Sequence, residues 1–189
     1  MAQMVAHALK MERHVSLQAV SGCLDVVPLY ETIKREEHFR DLHVVSEQGA
    51  PYTMHFQPLV PELSVSHFEK SLSFYTDVLH FRVEFQRPEH QFAFLSYQGC
   101  QLMIAQEGST WQTGTLVYPY GRGIHLAMLV DTLDVLLHSL QEHHYPLFAG
   151  PADHWYRQGH ILLGRREFLV MDPDGYLLRF AQSLGERPL

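Results

Sequence analysis

Fourteen histidines in 189 residues make metal chemistry the first possibility to weigh. A catalytic zinc needs about three protein ligands plus an open position. His143 and His144 are adjacent, and His154 and His160 fall in a stretch that reads as loop. Neither group forms a spaced ligand set, so solvated or singly hydrogen-bonded imidazoles are the expectation, with a surface zinc site as the alternative. Cys23 and Cys100 are far apart and make no CxxC pair, which points to a reducing, cytoplasmic setting. Cys100 has no basic neighbour in sequence and is a poor candidate for a catalytic thiolate. GxSxG, GxxxxGK[ST] and HExxH are all absent, so hydrolase, P-loop and zincin chemistry have no support. The side chains left to carry function are aromatic. Trp111, Tyr118 and Tyr120 lie in or beside a middle loop, Trp155-Tyr156-Arg157 lie in a second loop-rich stretch, and Phe85, Phe92 and Phe94 lie on strand candidates. Tryptophan is costly to leave exposed on a loop, so Trp111 and Trp155 are read as groove residues on which a flat ligand stacks. A cationic ligand would gain a cation–π term. For the three phenylalanines core packing is the competing role.

Charge narrows the partners. The formal net charge is −7, with 46% hydrophobic and 19% charged residues. That composition is globular and excludes a basic nucleic-acid or membrane-surface patch. It fits a neutral or cationic small molecule. The opening MAQMVAHALKMERHV has no apolar h-region, and no run approaches the ~18 apolar residues of a membrane span.

The elements that must position these residues become legible after Met54. Before it lie a helix candidate at 2–17 and a linker candidate, SEQGAPY. Residues 1–53 are therefore read as an N-terminal extension. FQPLVPELSVS alternates as a strand, and Ser66 opens a Ser-x-x-Glu capping box with Glu69. Phe68, Leu72, Tyr75 and Leu79 form a helical stripe, and strands follow at 81–85, 91–97 and 101–105. After a loop at 107–122 the order repeats. A strand at 124–130 precedes a helix with Asp131 as N-cap candidate and the stripe Leu133, Leu136, Leu137 and Leu140. A strand beginning at Pro146, with continuation through HWYR as the alternative to a loop there, and a hairpin of 168–171 with 177–181 complete the second half. The hairpin turn, Asp172-Pro173-Asp174-Gly175, suits type I geometry. Residues 54–106 and 123–189 thus form two β-α-β-β-β modules, an internal structural repeat.

PELSVSHFEKSLSFYTDVLHFRVEF, GRGIHLAMLVD and EFLVMDPDGYLLRFAQ together resemble the vicinal oxygen chelate superfamily, most closely its bleomycin-resistance branch. The resemblance covers about residues 54–189. It implies an α+β fold of paired βαβββ modules, with curved sheets around a concave cavity, helices on the convex side, and a homodimer. It also implies four metal-ligand positions in the enzymes of the superfamily. They fall here at Val60, Met103, His125 and Arg179. Valine has no donor, a thioether suits neither Mg²⁺ nor catalytic Zn²⁺, and an arginine is a fixed cation. One histidine cannot hold a catalytic ion, so no metal, no cofactor and no catalytic residue are expected.

Strand alternation turns Glu62, His125 and Arg179 toward the cavity floor. They would either orient a polar ligand or satisfy one another as a Glu–Arg pair with a neighbouring histidine. The expected ligand set is Trp111, Trp155, Tyr156, Arg157, Glu62, His125, Arg179, Phe85 and Phe92. The expected function is metal-independent sequestration of a bulky, aromatic, cationic antibiotic of the bleomycin type. The alternatives are a lyase or transferase with a rearranged site using His125 and Glu62, and a metabolite-binding protein.

Overall fold

A computed structural model describes residues 41–45, 51–108 and 111–189. Contacts divide the chain into residues 1–56 and Gln57–Leu189. In the first unit, β1 (Asp41–Val45) and β2 (Pro51–His55) pair antiparallel, Asp41 opposite His55 and Val45 opposite Pro51. The helix candidate at 2–17 lies outside the described residues. Pro51 and Tyr52, read as linker in the sequence, belong to β2.

The second unit is the repeat. β3 (Glu62–Val65), α1 (Phe68–Ser73), β4 (Arg82–Arg87), β5 (Phe92–Tyr97) and β6 (Cys100–Gln106) form the first module. β7 (His125–Val130), α2 (Asp134–Glu142), β8 (Ala149–Gln158), β9 (Ile161–Met171) and β10 (Leu177–Pro188) form the second. Each sheet has the same order. β3 runs parallel to β6, which pairs antiparallel with β5 and β5 with β4; β7, β10, β9 and β8 do the same. Two four-stranded mixed sheets with few helices give the α+β architecture expected from the sequence. No described helix is long and apolar enough to cross a membrane.

Both helical stripes are buried. Phe68, Tyr75 and Leu79 point inward from the first module. A π-helical turn at Phe74–Val78 widens the spiral, so that Phe74, Tyr75, Val78 and Leu79 can all turn inward. Leu133, Leu136 and Leu140 do the same from α2. They meet Leu63, Val65, Leu102 and Ile104 of one sheet and Val130, Phe168, Val170, Leu178 and Phe180 of the other in a single core.

Helix entry differs from the expectation. His67 caps α1, its Nδ1 accepting from the Lys70 N–H at 3.4 Å, and no side chain caps α2, so Asp131 has no capping role. The Ser66 N–H donates to Asp174 Oδ1 at 2.9 Å, in place of the reciprocal bond to Glu69 that a capping box would make. Of the two readings of residues 154–157, loop or continuation of the strand begun near Pro146, the strand is the one observed. These residues lie on β8, where pairing with β9 holds a stretch rich in polar residues extended.

The two modules are clasped by the β9–β10 turn. The Gly175 N–H donates to the Asp172 carbonyl at 3.0 Å, closing the turn. Asp174 Oδ2 accepts from Ser71 Oγ (2.9 Å), and Asp172 Oδ2 accepts from the Tyr75 hydroxyl (2.9 Å). The Tyr176 hydroxyl donates to the Ser64 carbonyl at 3.0 Å. Gly175 has φ +89° and sits where a Cβ would come within 2.7 Å of Pro119 Cα, so only glycine fits.

Burial raises the Asp172 carboxyl from 3.8 to about 6, against the hydrogen bonds from the Tyr176 and Asp174 amides and Tyr75 that lower it. A folded-state value above the unfolded one stabilises the fold at low pH, and that contribution is lost as pH rises through about 6. Asp172→Asn keeps an oxygen for the two backbone donors and cannot ionise. Its stability relative to wild type should therefore increase between pH 4 and pH 7, by on the order of 3 kcal/mol. Urea unfolding at the two pH values reads this out. A difference that does not change with pH would contradict it.

Candidate functional site, a charged depression on the second sheet

Residues paired across strands point to the same side of a sheet. One side of each sheet enters the shared core. On the other side of the second sheet, Ala127, Arg179 and Leu169 lie in register, as do Leu129, Ala181, Glu167 and Ala152, and then Ser183, Arg165 and His154. This side carries an open depression of about 480 Å³ lined by Ala127, Leu129, Tyr156, Arg165, Glu167, Arg179 and Ala181, with Met128.

Its polar centre is Glu167, a buried carboxylate on β9. The Tyr156 hydroxyl donates to Glu167 Oε2 at 2.9 Å, and Arg179 Nη1 lies 3.7 Å from the same oxygen. Arg179 is thus paired, but with Glu167 on the adjacent module strand. Glu62, the partner considered in the sequence, is exposed at the head of β3. Burial raises the Tyr156 phenol above its ordinary value, and the bond to Glu167 adds to it. Arg165 is pinned by Nη1 to the Gly164 carbonyl (3.1 Å) and Ser183 Oγ (3.0 Å).

Only Tyr156 and Arg179 of the sequence-derived set line this depression. Trp155 is next to Tyr156 on a strand and therefore faces the other side. Its ring lies against Gly164, where a Cβ would meet it at 2.8 Å, and Arg187 stacks over it at 3.9 Å. Arg157 shares that other side and donates from Nε to the Gly159 carbonyl. His125 is exposed at the head of β7, and Trp111 is 88% exposed in the middle loop. Phe85 and Phe92 belong to the first sheet. Phe85 stacks on Phe94 at 5.2 Å and lies 6.0 Å from Phe92, with Arg87 over both Phe85 and Phe92.

Glu167 and Arg165 escaped the sequence reading because that reading began the strand at Phe168. Extending the hairpin alternation back by three residues would have placed both on the Arg179 side.

The four positions implied for a metal do not fit one. Arg179 presents a guanidinium to the depression. Met103 lies between Phe94 and Glu62 in register, on a mainly apolar surface. Val60 offers no donor atom, and His125 brings no second imidazole or carboxylate. Among the described residues no three His, Cys, Asp or Glu side chains converge.

Paired modules of this topology with a ligand-sized recess define a known structural class. The family model for the Glyoxalase/Bleomycin resistance protein/Dioxygenase superfamily matches residues 53–180, and the chain belongs to that superfamily. Similar solved structures include an integron cassette protein from the mobile metagenome of V. cholerae. It is 20% identical, the match covers 69% of this chain and 98% of that one, and the TM-score is 0.51. TioX from Micromonospora sp. ML1 is 18% identical, over 68% of this chain and 100% of that one, with a TM-score of 0.51. A structure from the mobile metagenome of V. pseudocholerae is 19% identical over 69% and 98%, with a TM-score of 0.50. At these identities the likeness is one of fold. A search of curated proteins finds no match.

The depression predicts an order of stability losses. Tyr156→Phe removes one hydrogen bond and should cost about 1 kcal/mol. Glu167→Ala also strips Arg179 of its carboxylate and should cost about 2–3 kcal/mol. Urea unfolding of both variants checks this, and equal losses would show that the Arg179–Glu167 pair contributes nothing.

Proposed function

We propose that the protein is a metal-independent binder that sequesters a bulky aromatic small molecule, an activity of the bleomycin-resistance kind. The observation that carries the reading is Arg179. A guanidinium occupies the position the resemblance assigns to a metal ligand and opens onto a recess with apolar walls. Reversible capture needs only a concave surface with a few placed polar groups. An enzyme of this superfamily working through a rearranged site would need donors that His125 and the exposed Glu62 do not bring together.

The charge of the ligand departs from the expectation drawn from composition. The net −7 of the chain favoured a cation. Locally, Arg165 and Arg179 face a single carboxylate, and the rings of Phe85, Phe92 and Trp155 already carry arginines. The part of the ligand that meets the second sheet is therefore uncharged or negative, and the cationic part of a bleomycin-type drug lies away from Arg165 and Arg179. We place the protein in the cytoplasm from its sparse cysteines, and expect a homodimer, because Leu129 on the wall of the open recess remains more than half exposed.

Calorimetric titration of EDTA-treated protein with copper-free and copper-loaded bleomycin tests the drug assignment. The expected result is one drug per chain with micromolar or tighter affinity, unaltered by EDTA. No heat at ~100 µM drug, a dissociation constant too weak for sequestration, would overturn it and make a metabolite the ligand. A stoichiometric divalent ion in the purified protein would overturn metal independence.

A further inference from the structure

We propose that the depression on the second sheet is an oxyanion subsite. Arg179, with Arg165 beside it, anchors a carboxylate, phosphate or sulfonate of a ligand whose rings lie over Ala127, Leu129 and Ala181. This rests on the binding reading above and adds the chemical class of the ligand.

Three observations converge on it. First, Arg179 is only partly satisfied. Its Nε is buried with no hydrogen-bond partner, the one such side-chain nitrogen or oxygen among the described residues. A guanidinium carries five N–H donors, and leaving a buried donor unpaired is unfavourable. Its carboxylate neighbour Glu167 stands 3.7 Å away, beyond hydrogen-bonding distance, and Oε2 of that carboxylate already accepts from Tyr156. The rest of the guanidinium belongs to a side chain that is 30% exposed and lines the depression, where a second acceptor can approach it.

Second, the charge is unbalanced where the chain as a whole is acidic. Two guanidiniums line the depression against one carboxylate. Arg165 cannot swing away freely, because Gly164 and Ser183 hold its Nη1 at the rim. Guanidinium forks favour oxyanions, two of whose oxygens accept parallel hydrogen bonds.

Third, the fold does not require these charges. Arg179 sits on β10 opposite Leu169 of β9 and Ala127 of β7, and Met103 sits on β6 opposite Phe94 of β5 and Glu62 of β3. Glu167 pairs with Ala181 as Phe92 pairs with Ala105. The first module therefore fills the places of Arg179 and Glu167 with methionine and phenylalanine. Apolar residues satisfy the same backbone, and a buried ion pair is seldom the more stable choice. The second module holds an under-bonded arginine beside exposed Leu129, and an anionic aromatic ligand completes both its polar and apolar parts.

Two dyes with one ring system separate charge from stacking. 8-Anilinonaphthalene-1-sulfonate carries the oxyanion, and N-phenyl-1-naphthylamine lacks it. Fluorescence titration of the full chain should give roughly tenfold tighter binding of the sulfonate. Arg179→Met should abolish that preference, and Arg165→Met should reduce it. Raising salt should weaken only the sulfonate. Equal affinities in the wild type, or a preference that survives both substitutions, would overturn the oxyanion subsite and leave the aromatic-binding reading intact. Binding of neither dye would overturn the binding reading as well. Should Arg179→Met lose its far-UV circular dichroism, Arg165→Met and Arg179→Lys decide the matter, the lysine retaining charge without the bidentate fork.

Discussion

The clasp between the β9–β10 turn and the first module is the interaction on which the second unit depends. Asp172 and Asp174 reach across from one module and take hydrogen bonds from Tyr75, Ser71 and the Ser66 amide of the other. These carboxylates are buried, so water cannot substitute for the donors if the modules separate only partly. The same contact fixes where the first helix begins, since the Ser66 amide serves the clasp and His67 becomes the cap. It also pins the turn that leads into β10, and thereby the strand that carries Arg179.

With the modules locked and their helical faces shared in one core, the free sides of the sheets are available to diverge. They have done so while keeping identical topology. The first sheet is lined by Phe85, Phe92, Phe94 and Met103, and the second by Arg165, Glu167 and Arg179. Apolar packing makes the first wall rigid and undemanding. The second wall holds charge in a place where charge is unfavourable without a partner. That asymmetry links the repeat to a binding role, because a surface that needs an acceptor is one that retains a ligand supplying it.

Much of the architecture was legible from periodicity. The stripes Phe68, Tyr75, Leu79 and Leu133, Leu136, Leu140 identified both helices, and the Asp-Pro-Asp-Gly turn identified the last hairpin. Helix starts were misplaced because a capping motif is local, whereas the Ser66 amide is claimed by Asp174, 108 residues away. Of the nine residues expected to meet a ligand, Arg179 and Tyr156 line the depression; strand parity had pointed to Arg179 and the aromatic neighbourhood to Tyr156. Glu167 and Arg165 were missed because β8 and β9 are rich in polar residues and glycine, so that apolar alternation fades while cross-strand pairing persists. Weighing residues 154–157 mainly as loop, with the strand through HWYR only an alternative, left unused the fact that Trp155 and Tyr156, as neighbours on a strand, must face opposite sides.

A crystal structure of EDTA-treated protein with 8-anilinonaphthalene-1-sulfonate addresses the central claim most directly. The account predicts the sulfonate within about 3 Å of the Arg179 guanidinium, with the rings over Ala127 and Leu129 and no metal in the recess. A dye bound elsewhere with the Arg179 depression empty, or a divalent ion held beside His125, would contradict it.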